Sequence, residues 1–234
     1  EMCIRDSYFI EPGSGYLACG YVAKGRMEEP MQILSVINKF FTQQKNVVKS
    51  SFYGKRALVT AGPTVEVIDP VRYVSNRSSG KMGYAIAEAL RDKGAIVTLI
   101  SGPTHLSLPE GINVVKVESA DDMFQAVTER FAKQDIVIKA AAVSDYTPMD
   151  ILEHKLKKQE GGLSVQFKRT KDILKYLGEN KTHQYLVGFA AETQNIEQYA
   201  LDKLKRKNAD VIISNNVGDT SIGFSSDDNE LTMH

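Results

Sequence analysis

The sequence predicts an α/β protein: a Rossmann-like, doubly wound, mostly parallel sheet with a lysine-rich flap inserted into it. Three observations carry this reading. Short apolar runs at 56–60, 95–100, 113–117, 135–140, 185–190 and 211–214 read as strands. Helical periodicity fills most of the gaps, at 80–93, 120–133 and 195–207. Segment 144–170 then breaks the alternation with a run of lysines and Gly161-Gly162, as a flap or hairpin would. Strand and helix alternating at this spacing give a parallel sheet covered on both faces. Its ligand is expected at the carboxyl ends of the strands, where the strand order reverses.

In chain order, residues 1–7 fit nothing that follows and read as foreign to the natural chain. Residues 8–27 are glycine-rich, with loop chemistry, and too short to build a core. Residues 28–45 read as a helix with Ile33, Leu34, Ile37, Phe40 and Phe41 on one face. Residues 46–54 are polar and read as a linker, so the main domain spans 55–234. Its first helix places Met82, Ile86, Ala89 and Leu90 together and stops at Gly94. The second repeats Met123, Val127 and Phe131, and the last Ile196, Tyr199, Ala200 and Leu204. Residues 229–234 look like a strand beginning with no partner following it, so a C-terminal truncation is expected.

Composition narrows the function classes. The 234 residues suffice for one large domain or one and a half small ones, and 42% hydrophobic with 25% charged is ordinary for a globular chain. Lys+Arg and Asp+Glu are both 29, so no bulk basicity points to nucleic acid. No apolar run approaches the roughly 18–20 residues that span a membrane, and no secretory signal is visible. The two cysteines, Cys3 and Cys19, make no disulfide framework, and the four histidines make no ligand pair. The expectation is a cytoplasmic protein with neither nucleic-acid nor membrane partners.

The stretch Asp69-Pro-Val-Arg-Tyr-Val-Ser-Asn-Arg-Ser-Ser-Gly-Lys-Met-Gly83 joins the first strand to the first helix of the main domain. Strand, small polar loop and helix N-terminus is an arrangement that binds phosphate, here at Ser78, Ser79, Gly80 and Lys81. A plain strand-to-helix turn with a serine cap fits the same loop. A dinucleotide fingerprint wants an acid at the end of the second strand for the ribose, but that strand ends Leu99-Ile-Ser-Gly-Pro103. A P-loop fails on spacing, since Gly80-Lys81 is followed by Met82 and has no glycine five residues upstream. Tyr199 and Lys203 look like the tyrosine–lysine pair of short-chain dehydrogenases, but Tyr199 shares an apolar face with Ile196 and Ala200 and is assigned to core packing.

Ala140-Ala-Ala-Val-Ser-Asp-Tyr146 ends a buried strand in small residues that let a ligand approach the backbone, with Asp145 at the opening loop. Asp145 could equally cap the next turn. Gly188-Phe-Ala-Ala-Glu-Thr193 repeats the pattern of buried strand, small residues and terminal carboxylate. Lys155-Leu-Lys-Lys158 is a solvated charge run or, beside an anionic substrate, a mobile cationic flap.

Taken together, these four motifs resemble phosphopantothenoylcysteine synthetase of the bacterial type, the second half of the bifunctional coenzyme A biosynthesis protein. The resemblance covers about 55–234, in the same order and spacing. Gly15-Tyr-Leu-Ala-Cys-Gly20 through Gly25-Arg-Met-Glu-Glu-Pro30 is similar to the end of the fused flavin-dependent decarboxylase, so 8–45 reads as its C-terminal remnant. The resemblance implies a ligase that joins 4′-phosphopantothenate and L-cysteine through a CTP-derived acyl-cytidylate, with Mg2+ on the triphosphate. It implies that Asn76 holds the acyl-cytidylate and that Lys155 helps form it. Asp145 and the backbone at Ala141, Ala142 and Phe189 would recognise CTP, with Lys157 or Lys158 on phosphate. Cys19 matches the decarboxylase's proton-donating cysteine. The FMN-binding core of that half lies upstream, so neither FMN binding nor decarboxylation is expected of this chain. A homodimer is implied, its flap serving a neighbouring subunit's site, with a higher oligomer for the bifunctional parent.

Two other readings stand beside the ligase: an NAD(P)-binding reductase of short-chain type, and a non-catalytic nucleotide-binding fragment. The missing acid after Leu99 counts against the first. Turnover of CTP separates the second.

Overall fold

Seven strands form the sheet on which residues 52–234 are built, in the order β13-β12-β11-β8-β3-β6-β7. The computed structural model describes residues 10–16, 19–48, 50–157, 161–192, 196–216 and 231–234. They fall into two units, 1–51 and 52–234. In the first, strands β1 (Gly13–Tyr16) and β2 (Val22–Arg26) pair antiparallel, and helix α1 runs Pro30–Val48. The glycine-rich segment is therefore a hairpin rather than a loop. Leu34, Ile37 and Phe41 of the apolar face of α1 are exposed.

In the second unit, β3 (Arg56–Ala61) is central and buried on both faces, as its nearly unbroken apolar run requires. It pairs in parallel with β6 (Ile96–Ser101) and with β8 (Ile136–Lys139). Strand β7 (Asn113–Lys116) extends the sheet beyond β6, and β11 (Tyr185–Glu192) and β12 (Val211–Asn216) extend it beyond β8, all in parallel. Strand β13 (Leu231–Met233) adds an antiparallel edge against β12. The strand foreseen at the end of the chain thus has a partner earlier in the sequence.

Helix α2 (Lys81–Asp92) covers one face, where Tyr84, Ala87 and Leu90 pack on Ala57, Val59, Ala61 and Leu99. It ends in a left-handed Gly94, whose N–H returns to Arg91 O while Ala95 N–H returns to Leu90 O. The other face carries α3 (Ala120–Phe131), α4 (Ile173–Asn180) and α5 (Ile196–Arg206) over Leu58, Ile100, Val137, Leu186 and Ile212. Ser119 and Asp122 form a reciprocal capping box on α3, and Asp172 caps α4. Each large apolar side chain buried here stabilises by about 1.5–3 kcal/mol. Helix α4 does not stand out in the sequence because only Ile173, Leu174 and Leu177 mark its buried face over 8 residues.

Two small ribbons complete the unit. Strands β4 (Val65–Val67) and β5 (Tyr73–Ser75) pair antiparallel, as do β9 (Tyr146–Pro148) and β10 (Phe167–Arg169). The second ribbon closes the 144–170 insert, so Lys155 and Lys157 lie on the loop between its strands. The chain leaves β3 outward through β6 and β7, then returns to β8 on the other side of β3. The strand order therefore reverses between β3 and β8.

Candidate functional site

The carboxyl ends of β3 and β8 form the floor of the site. Ala142 N–H donates to Gly62 O at 2.9 Å, and Ala142 O accepts from Thr64 N–H at 3.3 Å. Ala141 N–H donates to the buried Thr60 Oγ1 at 3.2 Å. Asn76, just past β5, hangs on this floor, with its Nδ2 donating to Ala142 O at 3.2 Å. Two motifs separated by 66 residues meet in that bond.

Beside Asn76 the loop turns into α2. Ser78 Oγ accepts from Gly80 N–H at 3.3 Å, and Ser79 Oγ from Lys81 N–H at 3.4 Å, both long for such bonds. Gly80 is left-handed at φ 79°, and a Cβ there would meet Thr104 Cγ2 at 2.7 Å. A Cβ on Gly83 would sit 2.5 Å from Ala61 Cβ, so the first turn of α2 is pressed against the end of β3. That turn carries no acid, and its N-cap residue, Gly80, has no side chain to cap the helix, leaving the two long serine contacts. The helix N-terminus therefore keeps its attraction for an anion.

The flap is tied to the same loop from the other side. Asp69, buried, accepts Val71 N–H at 2.8 Å, Arg72 N–H at 2.9 Å and Leu156 N–H at 3.1 Å. Arg72 Nη1 donates to Asp69 Oδ2 and its Nη2 to Leu156 O, each at 3.1 Å. Leu152 N–H donates to Ile68 O at 3.0 Å. Burial pushes the Asp69 carboxyl up, but the three N–H donors and the Arg72 guanidinium outweigh it and hold it below its ordinary 3.8. Lys155 and Lys157, exposed, flank the clamped Leu156.

The remaining expected residues fall as follows. Asp145 is exposed at the end of the Ala140–Tyr146 segment, and its main-chain oxygen accepts from Thr170 N–H at 3.0 Å. Among the described residues its carboxylate caps no turn. Phe189 is half-buried on β11, and its carbonyl is occupied by Lys203 Nζ at 2.8 Å. Lys158 and the side chain of Glu192 lie outside the described residues. Cys19 is an exposed free thiol in the β1–β2 turn of the other unit.

Two expectations need correction. Tyr199 is 43% exposed, so it is not a core residue; Ala200 takes the buried position next to it. Gly188 is small because of packing: a Cβ there would meet Leu174 Cδ2 at 2.7 Å and Ile212 Cδ1 at 2.8 Å.

Sequence reasoning missed the supporting residues Asp69, Arg72, Thr60, Thr64 and Lys139. Lys139 was hidden within an apolar run, where a single charged residue at a strand end was the available signal. Ser144 was missed as well; its buried Oγ has no hydrogen-bond partner among the described residues. A cavity of about 710 Å3 opens elsewhere, between the ribbons and the start of α3, and its lining includes Glu66, Asp121, Lys168 and Arg169. None of Asn76, Ser78, Lys81, Ala142 or Lys155 lines it. Among the described residues no group of three or more His, Cys, Asp or Glu could hold a metal ion.

Residues 52–234 match the family described as DNA/pantothenate metabolism flavoprotein C-terminal domain. The chain is 52% identical over 231 residues to the coenzyme A biosynthesis bifunctional protein CoaBC of Bacillus subtilis (strain 168), covering 98% of this chain and 56% of that protein. It is 47% identical over 230 residues to the CoaBC protein of Haemophilus influenzae, again covering 98% and 56%. The chain thus spans little more than half the length of the curated relatives it matches. A crystal structure of the C-terminal domain of CoaBC superimposes with a TM-score of 0.67 at 48% identity, covering 81% of this chain and 83% of that one. The likeness to the synthetase half of the bifunctional protein, read from the four motifs, is borne out. The chain belongs to the family of the DNA/pantothenate metabolism flavoprotein C-terminal domain.

Proposed function

We propose that residues 52–234 form a CTP-dependent phosphopantothenate–cysteine ligase of coenzyme A biosynthesis. The observation that carries this reading is the bond from Asn76 to Ala142 O, made at the reversal of strand order and flanked by a phosphate-type loop and a clamped lysine loop. The relatives named for coenzyme A biosynthesis support it.

In the first step a carboxylate oxygen of 4′-phosphopantothenate attacks the α-phosphorus of CTP. The bond to the bridging oxygen breaks and pyrophosphate leaves, giving the acyl-cytidylate. In the second step the cysteine amine attacks the acyl carbon, CMP leaves with the C–O electron pair, and the amine loses a proton. Asn76, hung on a fixed carbonyl, presents its amide to a carbonyl or phosphoryl oxygen of the intermediate. Lys155 places positive charge where the α-phosphate gains negative charge. The long Ser78 and Ser79 contacts are ones that triphosphate oxygens replace at low cost. Ala141 and Ala142 admit the base to the backbone, and Asp145 accepts from its amino group.

Mg2+ on the triphosphate would supply charge neutralisation there. A homodimer is part of this reading, and exposed Tyr73 and Val74 on β5 and Tyr146 on β9 are apolar side chains open to such a contact. Decarboxylation and FMN binding are not part of the proposed function, and tight stoichiometric FMN binding by this chain would overturn that.

The test is pyrophosphate release. With CTP, Mg2+, phosphopantothenate and cysteine, release is expected in step with product and unaffected by NADPH. A chain that neither turns over CTP nor gains thermal stability from it does not have this function.

A further inference from the structure

Lys139 closes β8 beside the site, yet it is buried, and none of the chemistry above uses it. Its Nζ lies 3.2 Å from Thr60 Oγ1 and 3.9 Å from Met123 Sδ. The same Thr60 oxygen accepts Ala141 N–H at 3.2 Å. Ala142, the next residue, is the one that carries Asn76. A continuous chain of hydrogen bonds and backbone therefore runs from Lys139 through Thr60 and Ala141 to the Asn76 amide.

We propose that Lys139 is a positioning residue for the Asn76 site, whose buried Nζ hydrogen-bonds Thr60 Oγ1 and through it fixes Ala141 and Ala142.

The proton inventory supports this role. A charged Nζ brings three donors to one hydroxyl and one thioether. Thr60 Oγ1 would then accept from both Lys139 and Ala141, and its own proton would have no acceptor among the described residues. With an uncharged amine, Thr60 donates to Nζ and accepts from Ala141 N–H, so the hydroxyl is satisfied on both counts. The surroundings favour that state. Helix α3 presents Met123. At the start of α4 is Asp172, itself ion-paired with Lys207 and under the influence of Lys203. Burial pushes the Lys139 amine down to about 7, with Asp172 pulling it back up.

The inference rests on the proposed site, but its first test needs no turnover. Between pH 7 and the unfolded value of 10.5, the unfolded chain binds a proton that the folded chain does not. Stability therefore rises with pH across that window, by up to about tenfold in the unfolding constant per pH unit. Lys139→Met should abolish this component of the slope, and equal slopes in the two proteins would overturn the proposal. The second test is the pH profile of CTP-dependent kcat. The native protein should lose activity below about pH 7. Lys139→Met should be about tenfold slower with no acid limb at that pH. Lys139→Gln, which restores an acceptor, should recover most of the rate without the limb. An acid limb unchanged in both variants would make Lys139 merely structural. Should the variants fail to fold, NMR titration of 15N-lysine-labelled native protein decides: an Nζ titrating near 7 supports the proposal, and one near 10.5 overturns it. Absence of any CTP turnover would defeat the proposed function and leave the stability and NMR tests standing.

Discussion

The Asp69 carboxylate accepts a 3.1 Å hydrogen bond from the N–H of Leu156, 87 residues further along the chain. Arg72, paired to that carboxylate, holds the Leu156 carbonyl. A half-buried ion pair at the start of the Asn76 loop therefore grips the main chain between Lys155 and Lys157. A cationic flap held at its base reaches a phosphate with less conformational entropy to lose than a free one.

Asp69→Asn keeps the shape but removes the charge that holds Arg72. Formation of the acyl-cytidylate should slow about tenfold or more, while cysteine discharges a preformed intermediate at the native rate. Proteolysis within 150–166 should become faster. Native rates in both assays would break the link between clamp and flap.

Acid should release the same clamp. The folded Asp69 titrates below 3.8, so its contribution to stability is complete above that value and disappears as pH falls through the folded pKa. Acid unfolding followed by circular dichroism should show a shallower loss below pH 3.8 in Asp69→Asn than in the native chain.

Gly83→Ala should destabilise residues 52–234 by about 1–3 kcal/mol, because the added methyl must displace Ala61 on β3. Urea unfolding measures the change, and CTP affinity should fall with it as the start of α2 shifts. An unchanged midpoint would contradict the close approach of the two elements.

Asn76→Ala and Lys155→Gln should separate the two steps. The first should impair handling of the intermediate by about 10²–10³-fold, and the second should slow its formation by a similar factor. Single-turnover kinetics with and without cysteine distinguishes them, and native rates in both would remove their assignments.

Much of this was legible in the sequence because a buried parallel sheet writes itself as apolar runs. Ala57–Thr60 and Ile136–Lys139 read as strands, and their small-residue endings marked where a ligand approaches. What stayed hidden was pairing at a distance. Nothing local to Asp69 names Leu156 as its partner, and nothing local to Asn76 names Ala142. The short ribbons β4–β5 and β9–β10 have three residues per strand, too few to show a period. Tyr199 misled because helical spacing gives the face of a side chain but not how far the neighbouring element covers it.

The most direct measurement is a rapid-quench experiment with α-32P-labelled CTP, Mg2+ and phosphopantothenate, without cysteine. One labelled acyl-cytidylate should accumulate per site with an equal amount of pyrophosphate, and added cysteine should convert it to CMP. Failure to form a labelled species that depends on phosphopantothenate, with folded protein and bound CTP, would contradict the joining of the two substrates at the Asn76 loop.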